Sequence, residues 1–313
     1  MRAVTIRDQQ IVLEEHPDPV AGTGEVLVRV RAAGLNGGDI MQRRGLYPAP
    51  PGSPQDIPGM ELAGEIAALG PSTLRFAVGQ RVMAIVGGGA QAELAIVHER
   101  LLMPVPEVLD WPAAGGLPEV FTTAHDALFA QAELRPGEHL LVHGGAGGVG
   151  TAAIQLARAS GARVTATVRR EELRAEVAAL GADAVAPEDF AAHGPFDVVL
   201  ELVGAPNLPE NLSALASGGR IVVIGVAAGV KAELNLLALM GKRARIHGST
   251  LRARALEEKA LTARRLEHEV LPLFEDGRLQ VPVAATLPLN AAAEAYERFA
   301  DGGKLGKIVL ALD

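Results

Sequence analysis

A strand, a turn and a helix written without interruption constrain this chain more than any other feature. The apolar run HLLVH at 139–143 leads into Gly144-Gly145-Ala146-Gly147-Gly148-Val149-Gly150 and then the helix-forming TAAIQLARA. Gly145, Gly147 and Gly150 therefore fill GxGxxG at the junction of a strand and a helix, the context that gives this short pattern its meaning. Glycine is needed because the turn takes unusual φ values, the backbone must approach a pyrophosphate closely, and the helix must pack tightly on the strand. The free amides that open the helix, at Gly148 and Val149, then face the anion. A plain connector is the competing use in a chain with 36 glycines, but the flanking strand and helix favour a dinucleotide.

From about residue 117 the same texture repeats. Continuous apolar strands (RVTATV at 163, DVVLEL at 197, RIVVIG at 220) alternate with helix candidates at 149–159, 171–180 and 207–216. Strands buried on both faces and joined by helices make a doubly wound parallel sheet. The first hundred residues read differently, as short strands (RAVTI, EVLVRVR, ELAGEIAALG, QRVMAIV) punctuated by Gly and Pro, which suits a compact antiparallel β domain. Residues 42–60, QRRGLYPAPPGSPQDIPGM, are too rich in Pro and Gly for a helix or central strand and form a long surface loop of the kind that carries function. A further amphipathic helix is expected over 253–271, and GKIVLALD at the end reads as a strand.

Composition removes alternatives. With 313 residues a substantial core is expected, and the absence of cysteine excludes disulfides, thiolate zinc sites and catalytic thiols. The start, MRAVTIRDQQ, lacks the apolar core of a signal peptide, and no stretch of about 20 uncharged apolar residues follows, so a soluble cytoplasmic protein with no membrane partner is expected. A net charge of −8 opposes a nucleic-acid partner.

The end of the second strand selects the dinucleotide. About 20 residues after the glycines, where an acidic residue would take the ribose hydroxyls of NAD, this chain has Val168, Arg169 and Arg170. Two guanidiniums can hold a 2′-phosphate through charge-assisted bonds, so NADPH is expected over NADH. The same residues admit two other uses: a solvated helix start, and ribose binding by the neighbouring Glu171.

At this point the chain resembles a known family, the zinc-free quinone oxidoreductase (zeta-crystallin-like) branch of the medium-chain dehydrogenase/reductases. The resemblance is carried by Gly137-Glu138, Leu141, GAGGVG, Gln155 and Arg158, and by AAGLNGGD (32–39), GLYP (45–48), PGMELAG (58–64), LPEVFTTAHDAL (117–128), ASGGRIVVIG (216–225), HGST (247–250) and GKIVL (306–310), in the family's order. It implies an α/β chain with a GroES-like domain from residues 1–120 and 252–313 around a Rossmann domain at 121–251, an active site between them, and often a homodimer. Zinc-dependent relatives place a catalytic Cys and His where this chain has Asn36 and Met60, and an amide and a thioether are poor zinc ligands. The eight histidines show no metal-binding spacing, so no metal is expected.

The chemistry implied by the resemblance is direct hydride transfer from NADPH to a quinone or to the β-carbon of an enone. Negative charge then develops on the acceptor oxygen, which calls for hydrogen-bond donors and a proton. Tyr47 and Asn36 match pocket-lining positions in relatives and are the expected catalytic residues, although a packed ring and a turn tie are open alternatives. Thr123, Gly225, Ser249 and Thr250 match positions near the nicotinamide, and Gly204 one near the ribose. Glu61 reads as a buried structural carboxylate, and Lys307 as a surface lysine despite its place near the cofactor in relatives. The competing functions are an enoyl- or haloacrylate-type reductase, since a shared fold does not fix the acceptor, and a non-catalytic NADPH-binding crystallin-like or sensor protein.

Overall fold

The computed structural model describes all 313 residues. They divide into two compact units, Met1–Thr122 with Leu251–Gly302 and Lys307–Asp313, and Thr123–Thr250 with Gly303–Gly306.

The first unit opens with a hairpin of β1 (Arg2–Arg7) and β2 (Gln10–Glu15), whose turn residues Asp8 and Gln9 both take positive φ, as a two-residue turn matching the strand twist requires. Then follow β3 (Glu25–Gly34), α1 (Gly37–Arg43), β4 (Glu61–Leu69), β5 (Arg81–Ile85), β6 (Leu94–His98), β7 (Met103–Pro104), α2 (Trp111–Gly115) and α3 (Pro118–His125). The chain crosses into the second unit for β8 (His139–Val142), α4 (Gly148–Ala159), β9 (Arg163–Thr167), α5 (Arg174–Ala179), β10 (Asp183–Val185), β11 (Phe196–Glu201), α6 (Leu208–Ala214), β12 (Leu215–Val223), α7 (Leu236–Lys242) and β13 (Arg245–Gly248). It returns with α8 (Leu256–Glu269), α9 (Leu271–Glu275), β14 (Val283–Pro288), α10 (Ala292–Asp301) and β15 (Lys307–Ala311).

In the first unit the sheet runs β14-β15-β3-β4-β5-β7, with β6 also on β3. All pairs are antiparallel except β14 with β15, and the chain's last strand lies beside one of its first. Alternation decides the faces: Val26, Val28 and Val30 of β3 point into a core with Leu62, Ile66, Tyr296, Ile308 and Leu310, while Arg29 points out.

In the second unit all six strands are parallel, in the order β10-β9-β8-β11-β12-β13. The order reverses between β8 and β11, and the crevice beyond the carboxyl ends of those two strands is where doubly wound sheets bind ligands. Both lie inside the sheet, and Leu140, Leu141, Val142, Val198, Val199 and Leu200 are fully buried, which explains the uninterrupted apolar runs.

Several expected boundaries move. The 171–180 helix splits into a 3₁₀ turn at Glu171–Leu173 and α5, and the 253–271 helix begins at Leu256 and breaks at Val270, because Pro272 fits only the first turn of a new helix. The return segment, expected wholly in the first domain, gives up Gly303–Gly306 to the second unit: the Gly306 N–H donates to the Ala146 carbonyl at 2.8 Å, bridging the segment to Gly147.

Candidate functional site

The glycine-rich turn ends β8 at the switch point. Its positive φ falls on Gly144, at 72°, one residue before the GxGxxG pattern, so the pattern's own glycines are there for space rather than for φ. A Cβ on Gly145 would lie 2.8 Å from the Ala166 Cβ, and one on Gly150 only 2.4 Å from the Gly144 carbonyl oxygen. A Cβ on Gly147, the N-cap of α4, would meet nothing nearer than 3.4 Å, so the absent side chain there leaves room for a ligand against the backbone. The first intrahelical donor is Thr151, to the Gly147 carbonyl, which leaves the amides of Gly148, Val149 and Gly150 as an anion-binding helix start.

A buried polar network holds this turn. His143 Nδ1 lies 3.2 Å from Thr167 Oγ1, which also accepts from the Gly144 N–H; His143 Nε2 lies 2.6 Å from Asn211 Oδ1. Asn211 donates to Glu201 Oε2 at 2.7 Å, and Glu201 Oε1 accepts from the Val203 and Gly204 amides at 2.7 and 2.8 Å. Burial lowers the pKa of His143, favouring the neutral ring. The ends of β8, β9 and β11 are thereby tied together, and Gly204, with φ 127° and no space for a Cβ beside the Gly229 carbonyl, is set beside the turn. Gly225 donates to the Glu201 carbonyl and packs on Leu202. The Ser249 N–H bonds the Val223 carbonyl, Thr250 is exposed, and Thr123 is buried in α3.

Arg169 and Arg170 are exposed just beyond β9. Arg174 folds back so that its Nε donates to the Val168 carbonyl at 3.3 Å, adding a third guanidinium to the strand end. Gly303 lies against Arg170: a Cβ there would fall 2.4 Å from Arg170 Cζ. Arg174 and Gly303–Lys304 escaped sequence reasoning, the first because only the backbone path turns it inward, the second because it arrives from the far end of the chain.

The first unit contains a second polar group of residues, nearly all buried. Glu61 is fully buried; its Oε1 accepts from Lys307 Nζ at 2.6 Å and Asn36 Nδ2 at 2.9 Å, and its Oε2 from the Glu119 N–H at 2.8 Å. Pro118 begins α3, so this last bond caps the first free amide of that helix. Lys307, read from the sequence as a surface lysine, is 2% exposed, because it stands on β15 in the interior of the sheet; its ammonium also donates to the Leu35 carbonyl at 2.7 Å and Asn36 Oδ1 at 2.6 Å.

Asn36, 7% exposed, has its amide spent on Glu61, the Gly34 carbonyl and Lys307, and stands as a strut of this frame. Asp39 accepts from the Asn36 and Gly59 amides at 2.9 and 3.0 Å, and burial pushes its carboxyl up to about 6 against those bonds. Met60, beside Gly38, brings its sulfur to the same region. An amide already engaged by Glu61, the Gly34 carbonyl and the Lys307 ammonium, with a thioether beside it, does not fit a zinc ion.

Tyr47 stands on the Pro-rich loop, half-buried, its hydroxyl without a hydrogen-bond partner in the protein. Arg252 fixes it: 3% exposed, it donates to the Tyr47 carbonyl at 2.9 Å, Gln42 Oε1 at 2.5 Å and the Gly87 carbonyl at 2.8 Å, and its guanidinium lies 5.0 Å from the Tyr47 ring centre. Burial raises the Tyr47 phenol, with a contribution from Glu119, while Arg252 pulls it back. Arg252 was invisible in the sequence, where nothing distinguishes it among 24 arginines.

Comparison with known proteins agrees with this architecture. Residues 22–107 match the alcohol dehydrogenase GroES-like domain and 148–265 the zinc-binding dehydrogenase family. The chain is 34% identical to the quinone oxidoreductase of Mus musculus over 309 residues, covering 94% of this chain and 91% of that one, and 33% identical to that of Homo sapiens over the same shares. Its fold superposes over its full length on an alcohol dehydrogenase superfamily protein from Novosphingobium aromaticivorans, with a TM-score of 0.90 and 32% identity across all of both chains. With both family domains in order, and with this identity along nearly the whole length, the chain belongs to the quinone oxidoreductase (zeta-crystallin-like) branch of the medium-chain dehydrogenase/reductases and is an NAD(P)-dependent oxidoreductase.

Proposed function

We propose that the protein is an NADPH-dependent, metal-independent reductase of quinones or α,β-unsaturated carbonyls. The observation that carries the choice of NADPH is the basic end of β9, where Arg169 and Arg170 stand in place of an acidic ribose ligand, with Arg174 beside them. Gly145, Gly147 and the amides of Gly148–Gly150 would hold the pyrophosphate, and Thr123, Gly204, Gly225, Ser249 and Thr250 the nicotinamide half. The bound coenzyme supplies a hydride. The residues of the chain supply the rest: the Tyr47 hydroxyl, free of partners and held by Arg252, donates to the acceptor oxygen as charge develops there, and the Glu61–Lys307–Asn36 frame fixes the backbone around it. Metal independence is supported by the donor chemistry at Asn36 and Met60.

An acceptor panel followed at the NADPH absorbance band tests this reading. Turnover with a benzoquinone and with a small enone identifies the acceptor class, and coenzyme binding with no acceptor-dependent oxidation of NADPH contradicts a reductase. Tyr47→Phe is expected to lower kcat while leaving the NADPH dissociation constant unchanged; an unaltered kcat removes Tyr47 from the chemistry.

A further inference from the structure

Two glutamates meet at the start of α3, Glu61 through its carboxyl group and Glu119 through its backbone N–H, and the surroundings of their side chains are unequal. Glu61 receives three donors, one of them an ammonium. Glu119, whose own N–H supplies one of those donors, has an Oε2 that is sealed from solvent and has no hydrogen-bond partner. Its residue surface is only partly buried, so the side chain keeps an edge toward water.

We propose that Glu119 is a proton store for the reaction, held as the neutral acid and discharged to the reduced acceptor. The proposal rests on the reductase reading and names the acid that reading lacks. Once the acceptor has taken its hydride, its oxygen carries the negative charge. The Glu119 O–H bond then breaks, an O–H bond forms on the acceptor, and the carboxylate left behind recovers its proton from water at its exposed edge. For a quinone, the hydride and this proton together complete the hydroquinone.

The groups facing Glu119 support the neutral form. Glu61 of β4 adds like charge and Asp39 of α1 adds more, while Lys307 of β15 and Arg252 oppose them from positions already committed to other acceptors. Burial is the largest effect, and the carboxyl is pushed up to about 8. Tyr47 lies within electrostatic reach, since Glu119 raises its phenol.

Infrared titration of the coenzyme-free protein tests the store without any turnover. The wild type should show a protonated-carboxyl C=O band that disappears with a midpoint of about 8, and Glu119→Gln should lack it. Because Oε2 has no partner to lose, this substitution breaks no bond within the protein, and an unchanged NADPH dissociation constant will confirm that the fold is intact. In steady state the wild-type kcat should fall as pH rises through about 8; Glu119→Gln should lose that limb and about a hundredfold in kcat. A wild-type protein that turns over yet shows no such band, or a Glu119→Gln enzyme with an unaltered kcat and pH profile, overturns the proposal. A band that titrates as expected in a protein that oxidises no NADPH with any acceptor overturns the reductase reading, and the proposal with it.

Discussion

Glu119 leaves a signature in stability as well as in rate. Its folded-state carboxyl is raised from the ordinary 4.5 to about 8, so between those values the folded protein keeps a proton that the unfolded chain gives up. The stability this group contributes is therefore complete below about pH 4.5 and is lost as pH rises to about 8. Glu119→Gln should raise the thermal midpoint at pH 8 relative to the wild type and leave it nearly unchanged at pH 4.5; an equal shift at both would show that the carboxyl does not titrate in this window. Gly303 gives a second test at this scale. Its φ of 68° and the 2.4 Å between a new Cβ and the Arg170 guanidinium mean that Gly303→Ala must displace that side chain. The NADPH dissociation constant should rise about tenfold, the equivalent of one weakened charge-assisted bond, with NADH binding unaffected.

At the scale of elements, what the sequence reveals depends on how local the cause is. The β8–turn–α4 unit is legible because most of its requirements lie within a dozen residues: a buried strand, a glycine at 150 where a Cβ would strike the Gly144 carbonyl, and a helix that opens with free amides; only the clash that a Cβ on Gly145 would make with Ala166 of β9 comes from further along the chain. The frame around Glu61 is not, because it is assembled from β3, α1, β4, α3 and β15, and only the antiparallel pairing of β15 with β3 brings Lys307 to Asn36. Lys307 looks like a surface lysine for the same reason: a charged residue in a short apolar strand carries no mark of the partners waiting for it. Arg220 on β12 is a parallel case in the second unit. It is 7% exposed and makes a two-pronged pair with Glu138, both bonds 2.8 Å, while donating to the Ala132 and Glu133 carbonyls. Glu138 keeps solvent and the Arg135 N–H, so the loss falls mainly on the bonds of the buried guanidinium, and Arg220→Met should destabilise the protein by about 1.5–3 kcal/mol in urea unfolding; a loss below about 0.5 kcal/mol would show that the pair is dispensable.

For the molecule as a whole, the central claim is that a phosphorylated nicotinamide coenzyme binds at the β8–α4 turn and is chosen by the basic end of β9. Calorimetric titration of the purified protein with NADPH and NADH, repeated on a chain carrying Arg169→Ala and Arg170→Ala, measures this directly. The wild type should bind one NADPH per chain more tightly than NADH, and the double substitution should weaken NADPH by tenfold or more while NADH changes little. Equal weakening of both coenzymes would contradict the choice of NADPH, and a folded wild type that binds neither would contradict the account at its base.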